Sequence, residues 1–257
     1  MSTALTERSL RDLAVALPGA TAVFRHHKLD FCCGGAVSLA EAAAARAADA
    51  GAIAAELAAL DAGVPGDLPD TPAGLTALIV TRYHDNHRRD LPELIRLARR
   101  VEAVHRGKPG TPAGLAEMLE RLTADLTAHM TKEEAILFPL LAAGPGTPQA
   151  AMAAGPIARM RFEHDECGAE LAEIARLTGD LTLPDGACTT FRALYAGLER
   201  FADELTTHIH IENNILFPMF EFPMLELPML ELPMLELPML ETGEAASGCC
   251  SGMAARG

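Results

Sequence analysis

The sequence predicts an all-α protein, an antiparallel four-helix bundle preceded by a small helical domain. Composition is the first reason: Ala and Leu dominate, and the chain is 49% hydrophobic but only 4% aromatic, a mixture that favours helices packed on helices. The second reason is periodicity, since apolar residues between 71 and 220 recur at spacings of three or four, the period of one helical face. The third is an internal repeat within the same region.

Residues 1–66 are predicted to form the small helical domain. Short helical patterns in it are interrupted at Pro18 and again at Gly34, each of which is followed by a glycine. Further along, Ser38 lies three residues before a glutamate, which is the spacing of a capping box. We therefore expect a helix to begin there and to run over 38–62.

Residues 71–220 are predicted to form the bundle. Gly- and Pro-rich breaks divide this region into helical segments joined by short loops, and such helices pack as antiparallel neighbours. The first segment contains Pro92, which we expect to kink it. The four predicted helices span 71–105, 111–143, 151–178 and 187–217.

The tail over 221–257 has a different composition. A Glu-(Phe or Leu)-Pro-Met-Leu unit occurs four times in it at a period of five residues. The proline of each unit excludes both a helix and a central strand, so we expect a disordered low-complexity segment with no fixed role. A docking strip or a Met-rich metal contact stays open as an alternative for this tail.

Charge and hydropathy argue against several functions. The formal net charge is −14, whereas surfaces that bind nucleic acid or anionic membranes are basic. The N-terminus lacks the basic start and apolar run of a signal peptide, and no apolar stretch reaches the roughly 18 residues of a membrane span. We therefore expect a cytoplasmic protein with neither partner. In a reducing cytoplasm its six cysteines should be thiols.

The internal repeat places polar residues at matched positions. A His-Asp pair in the first bundle helix recurs 80 residues later in the third, and a His-x-x-x-Glu motif in the second recurs 79 residues later in the fourth. The histidines and glutamates of these motifs fall on the apolar stripes that should face the core. They are His84, His129, Glu133, His164, His208 and Glu212.

Six such residues facing one core predict a dinuclear metal site. Burying a carboxylate without a partner costs several kcal/mol, and two metal ions supply the compensating charge. The His-x-x-x-Glu spacing puts an imidazole and a carboxylate one turn apart, so that both reach the same centre. Mixed imidazole and carboxylate donors suit iron or manganese, and zinc is also open.

Other polar residues compete for a place in this site. His87 shares the face of the first-helix histidine, but its counterpart in the repeat is a cysteine, which disfavours it as a ligand. Glu134 corresponds to an asparagine, which favours Glu133 instead. His210 should point to solvent, and His105 lies at a helix end, where a cation is favoured by the helix dipole.

Two adjacent cysteines mark the N-terminal domain. Cys32 and Cys33 lie between a basic run and a pair of glycines. Nearby Arg25 and Lys28 are expected to lower the pKa of a thiol and to raise its reactivity, which predicts a redox site or a partner contact. The alternative is a buried helix–turn junction with inert thiols.

Taken together, these motifs resemble those of the iron-sulfur cluster repair di-iron proteins, also called the repair-of-iron-centres family. The resemblance covers about residues 5 to 220. It implies a hemerythrin-like bundle that holds two non-haem iron ions, with the four histidines as terminal ligands and Glu133 and Glu212 as bridges. The motifs are Leu29-Asp30-Phe31-Cys32-Cys33-Gly34-Gly35, Tyr83-His84, His129-Met-x-Lys-Glu133-Glu, Glu163-His164-Asp165 and His208-Ile-His-Ile-Glu212-Asn-Asn.

The same resemblance implies a stress-response function: repair of iron-sulfur clusters damaged by nitric oxide or oxidants. The expected partners are damaged iron-sulfur proteins, an electron donor protein, and nitric oxide or oxygen as a small ligand; a homodimer stays open. Two alternatives also stay open, a nitric oxide reductase and a sensor or carrier of nitric oxide or oxygen. The appended Cys32-Cys33 domain argues against a simple carrier.

Overall fold

Helices make up the regular structure of this chain. The computed structural model describes residues 5–17, 19–60 and 68–221, and no β-strand occurs within these ranges. The predicted all-α fold is therefore confirmed. Within the same ranges, no helix combines the length and the hydropathy that a membrane span needs. The predicted tail lies outside the described residues except for Glu221.

The N-terminal part contains the short helices α1 (Leu10–Ala16), α2 (Ala20–His26), α3 (Leu39–Ala45) and α4 (Ala50–Ala59). Their apolar faces pack around a small core of their own that is centred on Phe24. The predicted capping box begins α3, because the Ser38 hydroxyl accepts a hydrogen bond from the Glu41 N–H and the Glu41 carboxylate accepts one from the Ser38 N–H.

The single helix predicted over 38–62 is wrong. Ala47 adopts a left-handed conformation with φ of 53°, and the Ala48 N–H donates to the Ala43 carbonyl, which closes α3. Asp49 then caps α4 by accepting hydrogen bonds from the N–H groups of Gly51 and Ala52. The sequence hid this break because alanine, the best helix former, occupies both sides of it.

The bundle helices follow the predicted order, and the predicted four-helix bundle is confirmed. Bundle helix 1 packs against bundle helices 2 and 4, and bundle helix 2 packs against bundle helix 3. Bundle helix 1 continues through Pro92. Bundle helix 1 covers residues 72–104, bundle helix 2 covers 115–142, bundle helix 3 is Ala154–Thr178, and bundle helix 4 covers 189–216.

Three of these helices widen locally into π-helix. The π segments are Ile79–His84 in bundle helix 1, Glu133–Leu137 in bundle helix 2 and Glu212–Leu216 in bundle helix 4. In bundle helices 2 and 4 a proline follows two residues after the segment, and its ring would clash with the carbonyl four residues earlier, inside the segment. A wider turn relieves that clash. Each π segment contains one of the predicted metal-binding residues.

A polar layer divides the bundle core into two apolar clusters. One cluster extends from Leu91 and Leu126 toward Phe191, and the other surrounds Ile79, Phe138 and Phe217. On every helix the predicted histidines and glutamates lie near the point in the sequence where one cluster gives way to the other. Polar groups that are enclosed on both sides by apolar packing must be balanced within the layer itself.

Bundle helices 1 and 4 pack tightly at a glycine. A Cβ atom at Gly197 would lie 2.7 Å from Cδ2 of Leu94. We predict that Gly197→Val lowers the free energy of unfolding by about 1–3 kcal/mol, the usual cost of overpacking a core. Gly168→Ala is the control: it has open space around its Cβ position, and we expect it to raise stability by about 0.5–1 kcal/mol. Chemical denaturation measures both, and equal effects would contradict this packing.

Candidate metal centre

The structure brings all six predicted residues into one buried layer. Five of the side chains have no solvent exposure, and that of His129 is 3% exposed. Their donor atoms form two groups, within each of which all atoms lie within 4.8 Å of one another. Both groups include Glu133 and Glu212. His84 and His208 complete the first group, and His129 and His164 complete the second.

Each glutamate reaches both groups with separate oxygen atoms. Oε2 of Glu133 lies 3.3 Å from Nε2 of His84, and its Oε1 lies 3.2 Å from Nε2 of His129. Oε1 of Glu212 lies 3.2 Å from Nε2 of His208, and its Oε2 lies 3.0 Å from Nε2 of His164. The two carboxylates therefore span the gap between the histidine pairs.

These carboxylates fit a pair of cations. No side chain among the described residues hydrogen-bonds any of their four oxygens with suitable geometry. Although burial alone would raise the pKa of Glu212, the nearby histidines hold it well below its usual value, so the group is an anion. The pKa of Glu133 is also lowered. Two buried anions without oriented donors are costly, and metal ions between them and the imidazoles would remove that cost.

The outward nitrogens of the histidines set which tautomer each ring adopts. Nδ1 of His84 lies 2.6 Å from Oε1 of Glu134, and Nδ1 of His129 lies 2.8 Å from Oε2 of Glu163. Both oxygens are acceptors, so each Nδ1 donates a hydrogen bond to its carboxylate and each Nε2 is the nitrogen that faces the layer. Nε2 of His84 and Nε2 of His208 then face each other at 3.3 Å. This arrangement is typical of metal-binding imidazoles.

Without metal, protons balance part of this charge. Burial would lower the pKa of His129, but the negative charge and close contact of Glu133 raise it to about 9. The pKa of His84 is raised by the same carboxylate against the effect of burial. A cation that binds the Nε2 atoms must displace these protons.

The competing polar residues lie outside both groups of donor atoms, although Nε2 of His87 has no hydrogen-bond partner among the described residues. Glu134 is not a member of either group and instead accepts hydrogen bonds from His84 and from Arg88, the latter at 2.7 Å. His87 is buried beside Phe201, and burial lowers its pKa to about 2, which keeps it neutral. The choice of the six over these two residues as metal ligands stays a prediction.

The expectation that His210 faces solvent is wrong. Its side chain is buried, Nδ1 lies 2.9 Å from Nδ2 of Asn214, and its ring packs edge-on against Phe31 at 5.4 Å between centroids. Helical periodicity within the bundle did not reveal this, because the face carrying His210 is covered by the N-terminal segment.

The segment around the two cysteines docks directly on bundle helix 4. Nδ2 of Asn214 donates to the Phe31 carbonyl at 3.2 Å, and Nδ2 of Asn213 donates to the Cys32 carbonyl at 3.1 Å. Asn213 also accepts a hydrogen bond from Nδ1 of His164 at 2.9 Å through its Oδ1 atom. A single amide therefore links the cysteine segment to an imidazole of the polar layer.

Cys32 and Cys33 are half-buried free thiols. The expectation that Arg25 and Lys28 lower a thiol pKa is wrong for Cys32. Its pKa is raised, first by its hydrogen bond with Cys33 and then by burial and the negative charges of Cys33 and Asp30. The two basic residues pair elsewhere: Arg25 with Asp203 at 2.7 Å, and Lys28 with an aspartate of the loop after bundle helix 3.

A surface cavity leads toward the layer between bundle helices 2 and 3. Its volume is about 290 Å³, and it reaches His129 and Glu163. Burial would raise the pKa of Glu163, but hydrogen bonds from Lys132, His129 and Arg159 lower it to about 2, so a fixed anion stands at the inner end. The lining of this cavity therefore includes one member of the second group of side chains, His129.

The fold and the polar layer together define a hemerythrin-like cation-binding bundle. Residues 77–220, more than half of the chain, match the family profile described as "Hemerythrin HHE cation binding domain". Residues 6–61, which include the cysteine segment, match a second profile described as "Domain of Unknown function (DUF542)".

Relatives extend this similarity over most of the chain. The chain is 49% identical over 215 residues to the iron-sulfur cluster repair protein YtfE of Dickeya chrysanthemi, which covers 82% of this chain and 96% of that protein. The YtfE proteins of Musicola paradisiaca (49% identity, 82% of this chain and 95% of the relative) and Yersinia pseudotuberculosis (47%, 82% and 95%) match similarly. The chain belongs to the family of these iron-sulfur cluster repair proteins, as its motifs predicted.

Sequence reasoning missed the residues that support the six. Glu163 and Asn213 each hold the outward nitrogen of a histidine, but neither belongs to an apolar stripe. Their position offered one signal: Glu163 directly precedes His164, and Asn213 directly follows Glu212. Residues adjacent to candidate ligands on a helix project toward neighbouring helices, where second-layer partners are found.

Asn213 provides a test of this second layer. We predict that Asn213→Leu weakens metal binding by about 10–100-fold, the usual effect of removing an outer partner of a metal-binding histidine. Asn214→Leu is the matched control, because it removes contacts to Phe31 and His210 but none to the six residues. The rate of metal loss to a chelator measures both variants, and equal rates would rule out a special role for Asn213.

Proposed function

We propose that this protein holds two iron ions in the polar layer and uses them in the repair of iron-sulfur clusters damaged by nitrosative or oxidative stress. One observation carries the proposal: Glu133 and Glu212 each direct one oxygen to either histidine pair, and none of those oxygens has a well-oriented donor among the described residues. The names of the relatives, which are iron-sulfur cluster repair proteins, supply the cellular role.

The residues divide the work as follows. His84 and His208 would hold one ion, His129 and His164 the other, and the two glutamates would bridge them. When bound, an iron pair with this donor set would have coordination positions open to nitric oxide or oxygen, and it could release iron to an acceptor. The outer partners of His84, His129 and His164 hold these rings with Nε2 aimed inward.

The two halves of the proposed centre differ in their outer partners. Nδ1 of His84 and Nδ1 of His129 each face a carboxylate, whereas Nδ1 of His164 faces the neutral amide of Asn213. Nδ1 of His208 has no hydrogen-bond partner within the described part of the chain. A carboxylate partner makes an imidazole a stronger donor, so the ions would be held most firmly by His84 and His129.

The docked cysteine segment favours repair over simple transport of a gas. A carrier needs only the bundle, whereas here Asn213 joins a solvent-facing thiol segment to the proposed centre. We therefore expect this face to meet the damaged iron-sulfur protein, and an electron donor protein to reduce the irons. We expect these encounters to take place in the cytoplasm.

Metal content tests the proposed ligands. We predict two irons per chain in the wild type and a lower content in His129→Leu and in His208→Leu, because each loses a nitrogen donor. His87→Leu is the matched control: His87 is an equally buried and neutral histidine, and we expect this variant to keep both irons. Iron quantitation with Mössbauer spectroscopy reads out the result. Two irons in His129→Leu, or loss of one in His87→Leu, would disprove the assignment.

Activity recovery tests the proposed role. An aconitase-type enzyme damaged by nitric oxide is mixed with wild type, with His129→Leu, or with a variant carrying both Cys32→Ser and Cys33→Ser. We predict full recovery with wild type and little with His129→Leu. The double serine variant should keep the di-iron spectrum and repair less, because it lacks the two thiols on the face that we expect to meet the damaged protein. Full repair by His129→Leu would contradict the di-iron mechanism.

Turnover distinguishes repair from nitric oxide reduction. Under anaerobic conditions with a chemical reductant, sustained formation of nitrous oxide by the iron-loaded protein would favour the reductase. A single reaction per iron pair, followed by recovery of the damaged enzyme, would favour repair.

A further inference from the structure

We propose a second metal site in this protein: Asp30, Cys32 and Cys33 together bind one thiophilic divalent ion at the surface. These three residues lie in the docked segment between α2 and α3, and their donor atoms all lie within 4.8 Å of one another. None of them contributes to the buried layer of histidines and glutamates.

The separation of the two sulfur atoms already suits a metal ion. Sγ of Cys32 and Sγ of Cys33 lie 3.7 Å apart. A tetrahedral ion with metal–sulfur bonds of about 2.3 Å requires its sulfur ligands to be about 3.8 Å apart. A disulfide would need the sulfurs at about 2.05 Å. The distance between the two sulfur atoms therefore suits two thiolates that bind one metal ion and does not suit a disulfide.

Asp30 is held in position as the third donor. Its Oδ1 atom lies 3.4 Å from Sγ of Cys32 and accepts a hydrogen bond from the Cys33 N–H at 3.0 Å. A Cβ atom at Gly34 would lie 2.9 Å from Oδ2 of the same carboxylate, so only glycine leaves room for it. The carboxylate is fixed beside the thiols by the loop and does not depend on a metal ion for its placement.

The donor set selects the class of ion. Two thiolates and one carboxylate suit borderline divalent ions such as zinc or ferrous iron and disfavour the hard ions calcium and magnesium. On binding, each thiol exchanges its S–H bond for a metal–sulfur bond and releases a proton to water, so no oxidant or reductant takes part. Three protein donors leave a position for water or for a donor from another protein.

The location gives this site access to both solvent and the buried layer. Asp30 is exposed and the two cysteines are half-buried, whereas the six residues of the layer are enclosed. The backbone of Cys32 is joined through Asn213 to His164. If the proposed repair function holds, this site lies where an ion leaving the bundle would meet a client protein; binding itself does not depend on that function.

Cobalt titration tests the site in the full-length, iron-loaded protein under reducing, anaerobic conditions. Cobalt(II) bound by thiolates gives a sulfur-to-metal charge-transfer absorption that the histidines and glutamates of the buried layer cannot produce. We expect wild type to develop this absorption to saturation at one cobalt per chain, with no change in iron content.

Variants locate the absorption within the chain. The double variant Cys32→Ser, Cys33→Ser should lose it. The matched control Cys249→Ser, Cys250→Ser removes the chain's other adjacent cysteine pair and should keep it. Asp30→Asn, which keeps a side chain of the same shape, should weaken cobalt binding at least about tenfold, as the loss of even an outer partner does.

Two results would overturn the proposal: no charge-transfer absorption in wild type, or absorption that persists in the Cys32→Ser, Cys33→Ser variant. Unchanged affinity in Asp30→Asn would remove Asp30 from the donor set and reduce the site to a dithiol. Iron content is measured separately on each sample, so failure of the buried di-iron centre shows as low iron and leaves the sulfur absorption unaffected.

Discussion

The structure is organised around two negative charges in the middle of an apolar bundle. Glu133 and Glu212 have no solvent exposure, and apolar clusters close the layer above and below them. Packing alone cannot tolerate such groups, because an uncompensated buried charge costs several kcal/mol or more. The remaining polar groups surround these charges in successive shells of complementary polarity. Histidines face the two glutamates, and carboxylates and an amide accept hydrogen bonds from those histidines. An arginine and a lysine in turn hold Glu134 and Glu163.

Much of this arrangement could be predicted from the sequence, because the inward residues interrupt an otherwise regular apolar stripe. His208 and Glu212 continue the spacing of Leu198, Phe201 and Leu205, and a repeat of the pattern in bundle helix 2 made chance an unlikely source. The same logic favoured Glu133 over Glu134 as a ligand, and Glu133 is the one whose oxygens lie in both groups of donor atoms. Where periodicity and duplication agree, a sequence specifies which side chains enter a core.

What escaped prediction depends on contacts between distant parts of the chain. The burial of His210 comes from Phe31, and the ion pair that occupies Arg25 comes from Asp203. Local sequence patterns cannot reveal partners that are so distant along the chain. The break at Ala47 was missed for a different reason. Alanine does not favour the left-handed conformation that it adopts here, just before the Asp49 cap of α4, so its identity gave no sign of a break.

The π segments give both buried glutamates the same local backbone. Those at Glu133–Leu137 and Glu212–Leu216 occupy matched positions of the two repeated helix pairs, each ahead of a proline. The segment Ile79–His84 has no such equivalent, because bundle helix 3 remains α-helical through His164. The two helix pairs are therefore alike where they present their carboxylates and differ where they present His84 and His164, so the pseudo-symmetry of the side chains exceeds that of the backbone beneath them.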